Sequence, residues 1–369
     1  MSPAPEERPL DAGGLRVAIR VDASSAIGTG HVFRSMAIFA HWQEAGGSCF
    51  FICREAPGHL IDLLRARGFR VHAIADNADP LTDATAFRTA VAAEGGADIV
   101  WVDHYGLDAT WETHARGEAA ILCVVDDLAD RAHDCDILVD SSHGVEEAGC
   151  YDPYLDGNAI RLIGQDYVPL RREFTQYPKP QRPPGAPVRR LLVTLGGNDP
   201  LDTSSLVLDA LDHPDLHGLA VDLTVGAANP RASALQERAR AMPGVTAYFQ
   251  HEHVADLMAA ADLCIGAGGT TAWERCYMAL PTLGLILADN QVALMDRLAR
   301  LGVARNLGWA DRLTPERLRA DLLNAIEDRD WRDRTSQASS ALVDGKGVAR
   351  ILAALCDKAT TRPTSLRSA

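Results

Sequence analysis

Short apolar runs alternate with helix-length amphipathic segments along most of this 369-residue chain, and no other feature constrains the fold as strongly. RVAIRVD (16–22) has the pattern of a buried strand, and residues 31–45 that of an amphipathic helix which a Gly-Gly pair ends. Four further strand-like runs follow, CFFIC, VHAI, DIVWVD and ILCVVDD, at 49–53, 71–74, 98–103 and 121–127. Such alternation predicts a parallel, doubly wound α/β sheet.

The pattern lapses over residues 167–188, which are rich in proline and charge, and then begins again. The second series of apolar runs lies at 189–200, 220–228, 261–276 and 280–291. The sequence therefore predicts two Rossmann-like, doubly wound domains that face a cleft. The expected division is a disordered tail (1–14), an N-terminal domain (15–168), a linker (169–188), a C-terminal domain (189–357) and a second tail (358–369).

A glycine-rich turn follows the first strand, and a histidine stands at its end. IGTGH contains Gly28 and Gly30 and leads directly into His31. It is not a dinucleotide-binding fingerprint, because Phe33 occupies the place of the third glycine. The turn either joins a strand to a helix and does nothing more, or lets the backbone pass close to a ligand.

GAGGTTAWE, in the second half, is the more specific glycine turn. Gly268 and Gly269 allow the backbone to approach a ligand closely, and Thr270 and Thr271 add hydroxyl groups at a helix start. Backbone N–H groups and the helix dipole there suit a diphosphate. Glu274 has two readings: the spacing from Thr271 fits a capping box, and a carboxylate one turn into the helix also suits a ribose.

Four motifs, taken together, resemble one family. They are RVDASSAIGTGHVFRSMAIF, VDHYGLD, DDLADRAHDCDILVD and IGAGGTTAWERC, and the resemblance spans residues 16–310. The family is the UDP-2,4-diacetamido-2,4,6-trideoxy-β-L-altropyranose hydrolases, which act in pseudaminic acid biosynthesis. The resemblance implies the GT-B fold and release of UDP by hydrolysis, with no cofactor and no metal. It assigns the catalytic role to His31 and nucleotide binding to Gly268, Gly269, Thr270, Thr271 and Glu274.

A histidine in the first turn of a helix suits this chemistry. The positive end of the helix dipole disfavours the imidazolium, so His31 is expected to be neutral and able to accept a proton from water. Asp22 is a candidate for orienting His31 or binding the sugar, and Tyr105 and Asn290 are further candidate ligands. A loop cap and a packed tyrosine are equally good readings of Asp22 and Tyr105.

Composition excludes several other classes of function. The 36 basic and 50 acidic residues give a formal net charge of −14, which disfavours nucleic acid and anionic membranes as partners. Eight scattered cysteines, several inside apolar runs, fit reduced core thiols and form no zinc-ligand pattern. With no signal-peptide pattern at the start, a cytoplasmic location is expected. The expected partners are a UDP-sugar and UDP, with no obligatory protein partner.

Rival functions remain open at this stage. A GT-B glycosyltransferase that uses a UDP-amino sugar would need an acceptor-binding surface. An enzyme similar to UDP-N-acetylglucosamine 2-epimerase would need further acid/base carboxylates around the sugar. A regulator that binds a nucleotide sugar without turnover would not need a reactive histidine.

Overall fold

All thirteen strands that the structure describes pair in parallel with their neighbours, in two separate sheets. The structure is a computed structural model, and it describes residues 11–24, 27–76, 79–117, 121–226, 229–251 and 253–361. The chain divides into two compact units, residues 1–169 with 346–369, and residues 170–345. The prediction of two parallel, doubly wound α/β sheets is confirmed.

The first unit contains a seven-stranded sheet. Its strands are β1 (Arg16–Val21), β2 (Ser48–Arg54), β3 (Arg70–Ile74), β4 (Ile99–Asp103), β5 (Ile121–Val125), β6 (Ile137–Asp140) and β7 (Ile160–Ile163). Its helices before residue 170 are α1 (Gly30–Glu44), α2 (Ile61–Ala66), α3 (Pro80–Ala93) and α4 (Ala109–Arg116). The strand order is β3-β2-β1-β4-β5-β6-β7.

The second unit contains a six-stranded sheet with the order β10-β9-β8-β11-β12-β13. Its strands are β8 (Arg190–Thr194), β9 (Ala220–Val225), β10 (Val245–Phe249), β11 (Leu263–Ala267), β12 (Thr282–Ile286) and β13 (Arg305–Trp309). Its helices are α5 (Arg172–Thr175), α6 (Thr203–Leu211), α7 (Ala232–Ala241), α8 (Val254–Ala260), α9 (Thr271–Tyr277), α10 (Val292–Arg300), α11 (Pro315–Glu327) and α12 (Arg329–Leu342).

The last helix, α13 (Gly347–Thr360), belongs to the first unit, whereas the sequence suggested that residues up to 357 continue the second domain. Its buried residues Val348, Ile351 and Leu355 join the core of the first sheet. A local apolar pattern specifies an amphipathic helix but does not specify which sheet that helix covers. The difference therefore arises from long-range packing.

Residues 170–188 pack on the second unit and do not have the free character expected of a linker. Arg182 donates to the backbone carbonyls of Ala261, Met258 and Met278, which lie at the ends of α8 and α9. Burial lowers the pKa of Arg182 to about 10, and Asp262 opposes that shift.

The predicted N-terminal tail is ordered over residues 11–14, where Ala12 is fully buried. Residues 1–10 and 362–369 of the two predicted tails lie outside the described residues.

Both faces of each sheet are covered, which explains the continuous apolar runs of the strands. On β1, Val17 and Ile19 pack in one core cluster while Ala18 packs in the cluster on the opposite face. All eight cysteines are free thiols, and five of them are buried. No helix among the described residues is long and apolar enough to span a membrane.

The strand order reverses direction next to the first strand of each sheet. β1 lies between β2 and β4, and β8 lies between β9 and β11. In open α/β sheets, ligands bind beyond the carboxyl ends of the strands at this switch point. The turn before His31 follows β1, and the GAGGTT turn follows β11. The topology thus places each singled-out glycine turn at the ligand-binding position of its own sheet.

Candidate active site

The catalytic candidate His31 is buried beside an aspartate at the carboxyl end of the first sheet. It is the second residue of α1, and its Nδ1 lies 2.5 Å from Oδ1 of Asp103, the last residue of β4. Arg34, one turn further along α1, donates to both oxygens of Asp103, from Nη2 to Oδ1 and from Nε to Oδ2, each at 2.5 Å. These three side chains form a buried Arg–Asp–His cluster.

The hydrogen bonds of this cluster determine which nitrogen of His31 carries the proton. Nδ1 of His31 also lies 3.0 Å from Nη2 of Arg34, but that nitrogen has the shorter contact to Asp103. Because a guanidinium has no acceptor and the carboxylate has no proton to give, we assign the Nδ1 proton to the bond with Asp103. In the neutral ring, Nε2 of His31 is then the acceptor nitrogen.

Asp103 is held in its charged form. Burial alone would raise the pKa of this fully buried carboxyl, but Arg34 and then His31 outweigh burial and hold the pKa well below its usual range. Burial lowers the pKa of Arg34, but Asp103 and Asp127 raise it, and the net effect is a pKa above the usual value. Asp103 therefore remains a carboxylate throughout the neutral range and is no competitor for a proton on His31.

The first glycine turn and the ring of Tyr105 both lie next to His31. Ser24 and Gly28 exchange two backbone hydrogen bonds, and Gly28 has φ +80°, which a side chain would strain. Gly30 is the first residue of α1. The ring of Tyr105 meets the ring of His31 edge to face, with centroids 4.4 Å apart and an angle of 82° between the planes. The structure thus brings Tyr105 and His31 together.

Asp22 belongs to a second cluster, which is held by ion pairs and hydrogen bonds. Its carboxylate accepts two hydrogen bonds from the buried Arg20 and one from the backbone N–H of Arg54, and lies 3.2 Å from Nε2 of His104. Burial raises the pKa of Asp22, but His104 and Arg20 more than compensate and lower it strongly. The described contacts join Asp22 to His104, not to His31.

In the second unit, Glu274 lies on α9 and forms an ion pair. Its two oxygens accept hydrogen bonds from Nε and Nη2 of Arg171, at 2.6 and 2.9 Å. The helix begins after Thr270, whose side chain makes no capping hydrogen bond, so the capping-box reading of Glu274 does not describe this helix. A carboxylate has about four lone-pair sites, and Arg171 uses two of them. Acceptor capacity remains for a ligand hydroxyl.

The glycine turn before α9 lies directly on a buried arginine. Nη2 of Arg275 donates to the carbonyl of Ala267 and Nη1 to the hydroxyl of Thr271, and no carboxylate pairs with Arg275 among the described residues. A Cβ on Gly268 would come within 2.4 Å of Met295, whereas one on Gly269 would meet nothing within 4 Å. Gly268 is thus required for packing, and Gly269 borders open space.

Thr270 and Thr271, the last two residues of the GAGGTT turn, lie at the carboxyl end of the second sheet, and so does Asn290. Thr270 and Asn290 are exposed, and Asn290 belongs to a short 3-10 turn (Asp289–Gln291) after β12. Nothing in the described ranges brings three His, Cys, Asp or Glu side chains together as metal ligands. The parts of the second site are therefore backbone turns, hydroxyls, one ion pair and one buried guanidinium.

Sequence reasoning missed the roles of three charged residues. The sequence motifs assign no role to Arg34 or Asp103, and Arg171 lies in the predicted linker. Their spacing carries a weak signal: Arg34 follows His31 by one helical turn, so the two share a face of α1. The partners Asp103 and Glu274 are 72 and 103 residues away, which no local pattern reveals.

No protein-family model matches the chain, but curated proteins similar to it include the following two. The spore coat polysaccharide biosynthesis protein SpsG of Bacillus subtilis is 31% identical over 205 residues, which are 55% of this chain and 60% of SpsG. The UDP-2,4-diacetamido-2,4,6-trideoxy-beta-L-altropyranose hydrolase of Campylobacter jejuni is 22% identical over 288 residues, 78% of this chain and 97% of the hydrolase. The match with SpsG thus spans less than two thirds of that protein.

Solved structures share the fold over nearly the whole chain. MurG of Acinetobacter baumannii superposes with a TM-score of 0.64 at 16% identity, covering 93% of this chain and 99% of MurG. MnaA of S. aureus, solved with UDP, gives 0.61 at 14% identity over 95% of this chain and 99% of MnaA. The chain therefore has a GT-B-like fold and is a distant homologue of SpsG and of the Campylobacter hydrolase.

Proposed function

We propose that this protein hydrolyses a UDP-linked 2,4-diacetamido-2,4,6-trideoxyhexose, of the β-L-altropyranose type, to the free sugar and UDP. The geometry that carries the proposal is the buried Arg34–Asp103–His31 cluster at the switch point of the first sheet. The resemblance of the sequence motifs and the distant homology to the Campylobacter hydrolase support the choice of substrate and a place in pseudaminic acid biosynthesis.

His31 acts as the general base in this mechanism. Its Nε2 takes a proton from water while the water oxygen attacks the anomeric carbon, and the bond between that carbon and the glycosidic oxygen breaks. UDP leaves with this oxygen and with the bonding electron pair. Asp103 stabilises the imidazolium that forms and keeps the ring in the reactive tautomer, as carboxylate partners of catalytic histidines do.

UDP occupies the second unit in this proposal. Backbone N–H groups of the turn at Gly269, Thr270 and Thr271 receive the diphosphate, whereas the N–H of Gly268 already donates to the carbonyl of Leu285. The buried cation of Arg275 beneath the turn adds to the positive potential. Glu274 binds the ribose hydroxyls with the acceptor sites that Arg171 leaves open. Since UDP is a good leaving group under these conditions, no carboxylic acid is needed to protonate it.

The test is incubation with a panel of UDP-sugars without any acceptor, with free UDP as the readout. We expect UDP release from a diacetamido-trideoxyhexose nucleotide in the absence of acceptor. Reaction in ¹⁸O-water then places the label in the sugar. Label in UDP would mean attack at phosphorus and would remove the base role from His31. Turnover only when an acceptor is supplied would identify a glycosyltransferase, and recovery of an isomeric UDP-sugar would identify an epimerase.

A further inference from the structure

Four aspartates at the carboxyl end of the first sheet each lie beside a histidine. They directly follow or end four neighbouring strands, β1, β4, β5 and β6. The pairs, with their closest oxygen–nitrogen distances, are Asp22–His104 at 3.2 Å, Asp103–His31 at 2.5 Å, Asp126–His133 at 3.7 Å and Asp140–His143 at 2.6 Å. The proposed mechanism uses one of these pairs.

Two of the other histidines are fixed on both sides or fully enclosed. His104 has both nitrogens engaged, because Nδ1 accepts from the N–H of Gly106 and Nε2 faces Asp22. The side chain of His133 is fully buried, and its Nδ1 contacts Glu112 at 2.7 Å. Neither imidazole has a nitrogen to offer to a ligand, so both are structural.

His143 repeats the arrangement of His31. Its Nδ1 lies 2.6 Å from Oδ2 of Asp140, and Asp140 is fully buried. The hydroxyl of Tyr151 donates to the same oxygen at 2.8 Å, and the backbone N–H groups of Ser142 and His143 donate to Oδ1. Four donors thus hold one carboxylate in place, and that carboxylate orients one imidazole through Nδ1.

The remaining ring nitrogen of His143 is Nε2. The side chain is 15% exposed, against 6% for His31, and the described residues provide no hydrogen-bond partner for its Nε2. The hydrogen bond to Asp140 raises the pKa of His143, while burial opposes the shift. Nε2 of His143 is therefore the nitrogen left for a ligand at the ligand-binding end of the sheet.

We propose that His143 is a sugar-binding residue whose Nε2 makes a hydrogen bond with an acetamido substituent. This inference rests on the proposed function, because it takes the ligand of the first unit to be the sugar of a UDP-sugar. β4 and β6 are separated by β5, so Asp103 and Asp140 stand about 10 Å apart along the sheet edge. An acetamido arm on a hexopyranose held at His31 extends over such a separation.

The inference is tested with His143→Gln, with His114→Gln as the matched control. His114 is exposed on α4 and contacts the carbonyl of Thr110. Both variants are compared with the wild-type chain for the Kd of UDP and the Kd of a diacetamido UDP-sugar, measured by binding alone, and for KM and kcat on that UDP-sugar. We expect His143→Gln to raise the Kd and KM of the UDP-sugar by about 3- to 10-fold, the range for losing one hydrogen bond, with the Kd of UDP unchanged. His114→Gln should change neither.

An unchanged KM, or an equal loss of affinity for UDP and UDP-sugar, overturns the inference. If His143→Gln fails to fold, ¹⁵N-histidine spectra of the wild-type chain decide: the His143 Nε2 resonance should shift with the UDP-sugar and not with UDP alone, and no shift overturns the inference. Binding is measured separately from UDP release. An enzyme that transfers or epimerises the sugar would thus contradict the proposed hydrolysis and still report on His143.

Discussion

The carboxyl ends of the two sheets differ in chemistry although the two sheets share one topology. In the first sheet, four strands end at or directly before an aspartate, and each aspartate meets a histidine. In the second sheet, no strand is followed directly by a carboxylate; the residues there are Leu195, Gly226, Gln250, Gly268, Leu287 and Ala310. One edge carries aspartate–histidine pairs, and the other carries glycine turns over a buried arginine.

This difference teaches how one fold divides a reaction into two tasks. Parallel strands present their ends side by side, so a side chain placed at each strand end becomes a neighbour of the next. Aspartates at those positions build an acid/base surface, and glycines build a surface of backbone N–H groups. In our proposal the first surface performs the chemistry on the sugar and the second holds UDP. Five predictions can break or sharpen that division.

The largest expected effect is on turnover, from His31→Asn. Loss of a positioned general base should lower kcat by about 10²- to 10⁴-fold, while the Kd of UDP stays as in the wild-type chain, because the second unit supplies that binding. Steady-state kinetics and calorimetric titration with UDP measure the two quantities. His41→Asn, in the last turn of the same helix, is the control and should alter neither. A matching loss of UDP affinity in His31→Asn would break the division of tasks.

Asp103→Asn should have the second-largest effect, which is again a loss of turnover. The amide cannot hold the Nδ1 proton of His31 as a carboxylate does, so we expect kcat to fall by about 10²- to 10³-fold. The pH profile distinguishes this from simple loss of structure, since the apparent pKa of the base limb should move. Asp62→Asn, at an exposed position of α2, serves as the matched variant. A normal pH profile with wild-type kcat would contradict the role of Asp103.

The buried His133 makes the first unit sensitive to alkaline pH. Burial lowers the pKa of His133, but Asp126 and Glu112 outweigh burial and raise the pKa from 6.5 to about 9. Because the pKa of His133 is higher in the folded than in the unfolded chain, its contribution to the free energy of unfolding is complete below pH 6.5 and is lost as the pH rises through about 9. The difference between the two pKa values corresponds to about 3 kcal/mol of stability. Hydrogen exchange at pH 7 and 10 should show β5 losing protection more than β11, and His133→Asn should remove that excess.

Glu274→Ala tests the second edge. We expect UDP binding to weaken by about 1–3 kcal/mol, the cost of losing a charged hydrogen-bonding partner, and kcat at saturating substrate to remain. Calorimetry with UDP measures the change, and Glu316→Ala, at an exposed position of α11, is the comparison. Unchanged UDP affinity together with a lower melting temperature would leave Glu274 with a structural role through Arg171 alone.

The smallest expected effect is that of metal removal. Because helix N-termini and Arg275 supply the positive potential for the diphosphate, turnover should be the same before and after treatment with EDTA. Initial rates of UDP release with and without the chelator provide the measurement. Loss of turnover that a divalent cation restores would show that the second edge needs a metal as well.

Several elements of the fold could be predicted because their signals are local. The observed bounds of β1 and α1 differ from the predicted bounds by no more than one residue at each end. The signals that set these bounds, apolar periodicity and the Gly46–Gly47 pair that ends the helix, act within a few residues. Strands β6, β7, β10 and β13 were not singled out, because their apolar runs are short and interrupted by polar residues. Helix α13 was predicted with the second domain because its packing partner is remote.

The site divides in the same way. The sequence by itself determined that a histidine follows a glycine turn after the first strand, and that a glycine–threonine turn and Glu274 follow a later one. Only the tertiary structure decided that His31 meets Asp103, that Arg171 holds Glu274 and that His143 faces the same sheet edge as His31. The physical reason is strand order: parallel pairing places β1 beside β4, so residues far apart in sequence become neighbours at their carboxyl ends.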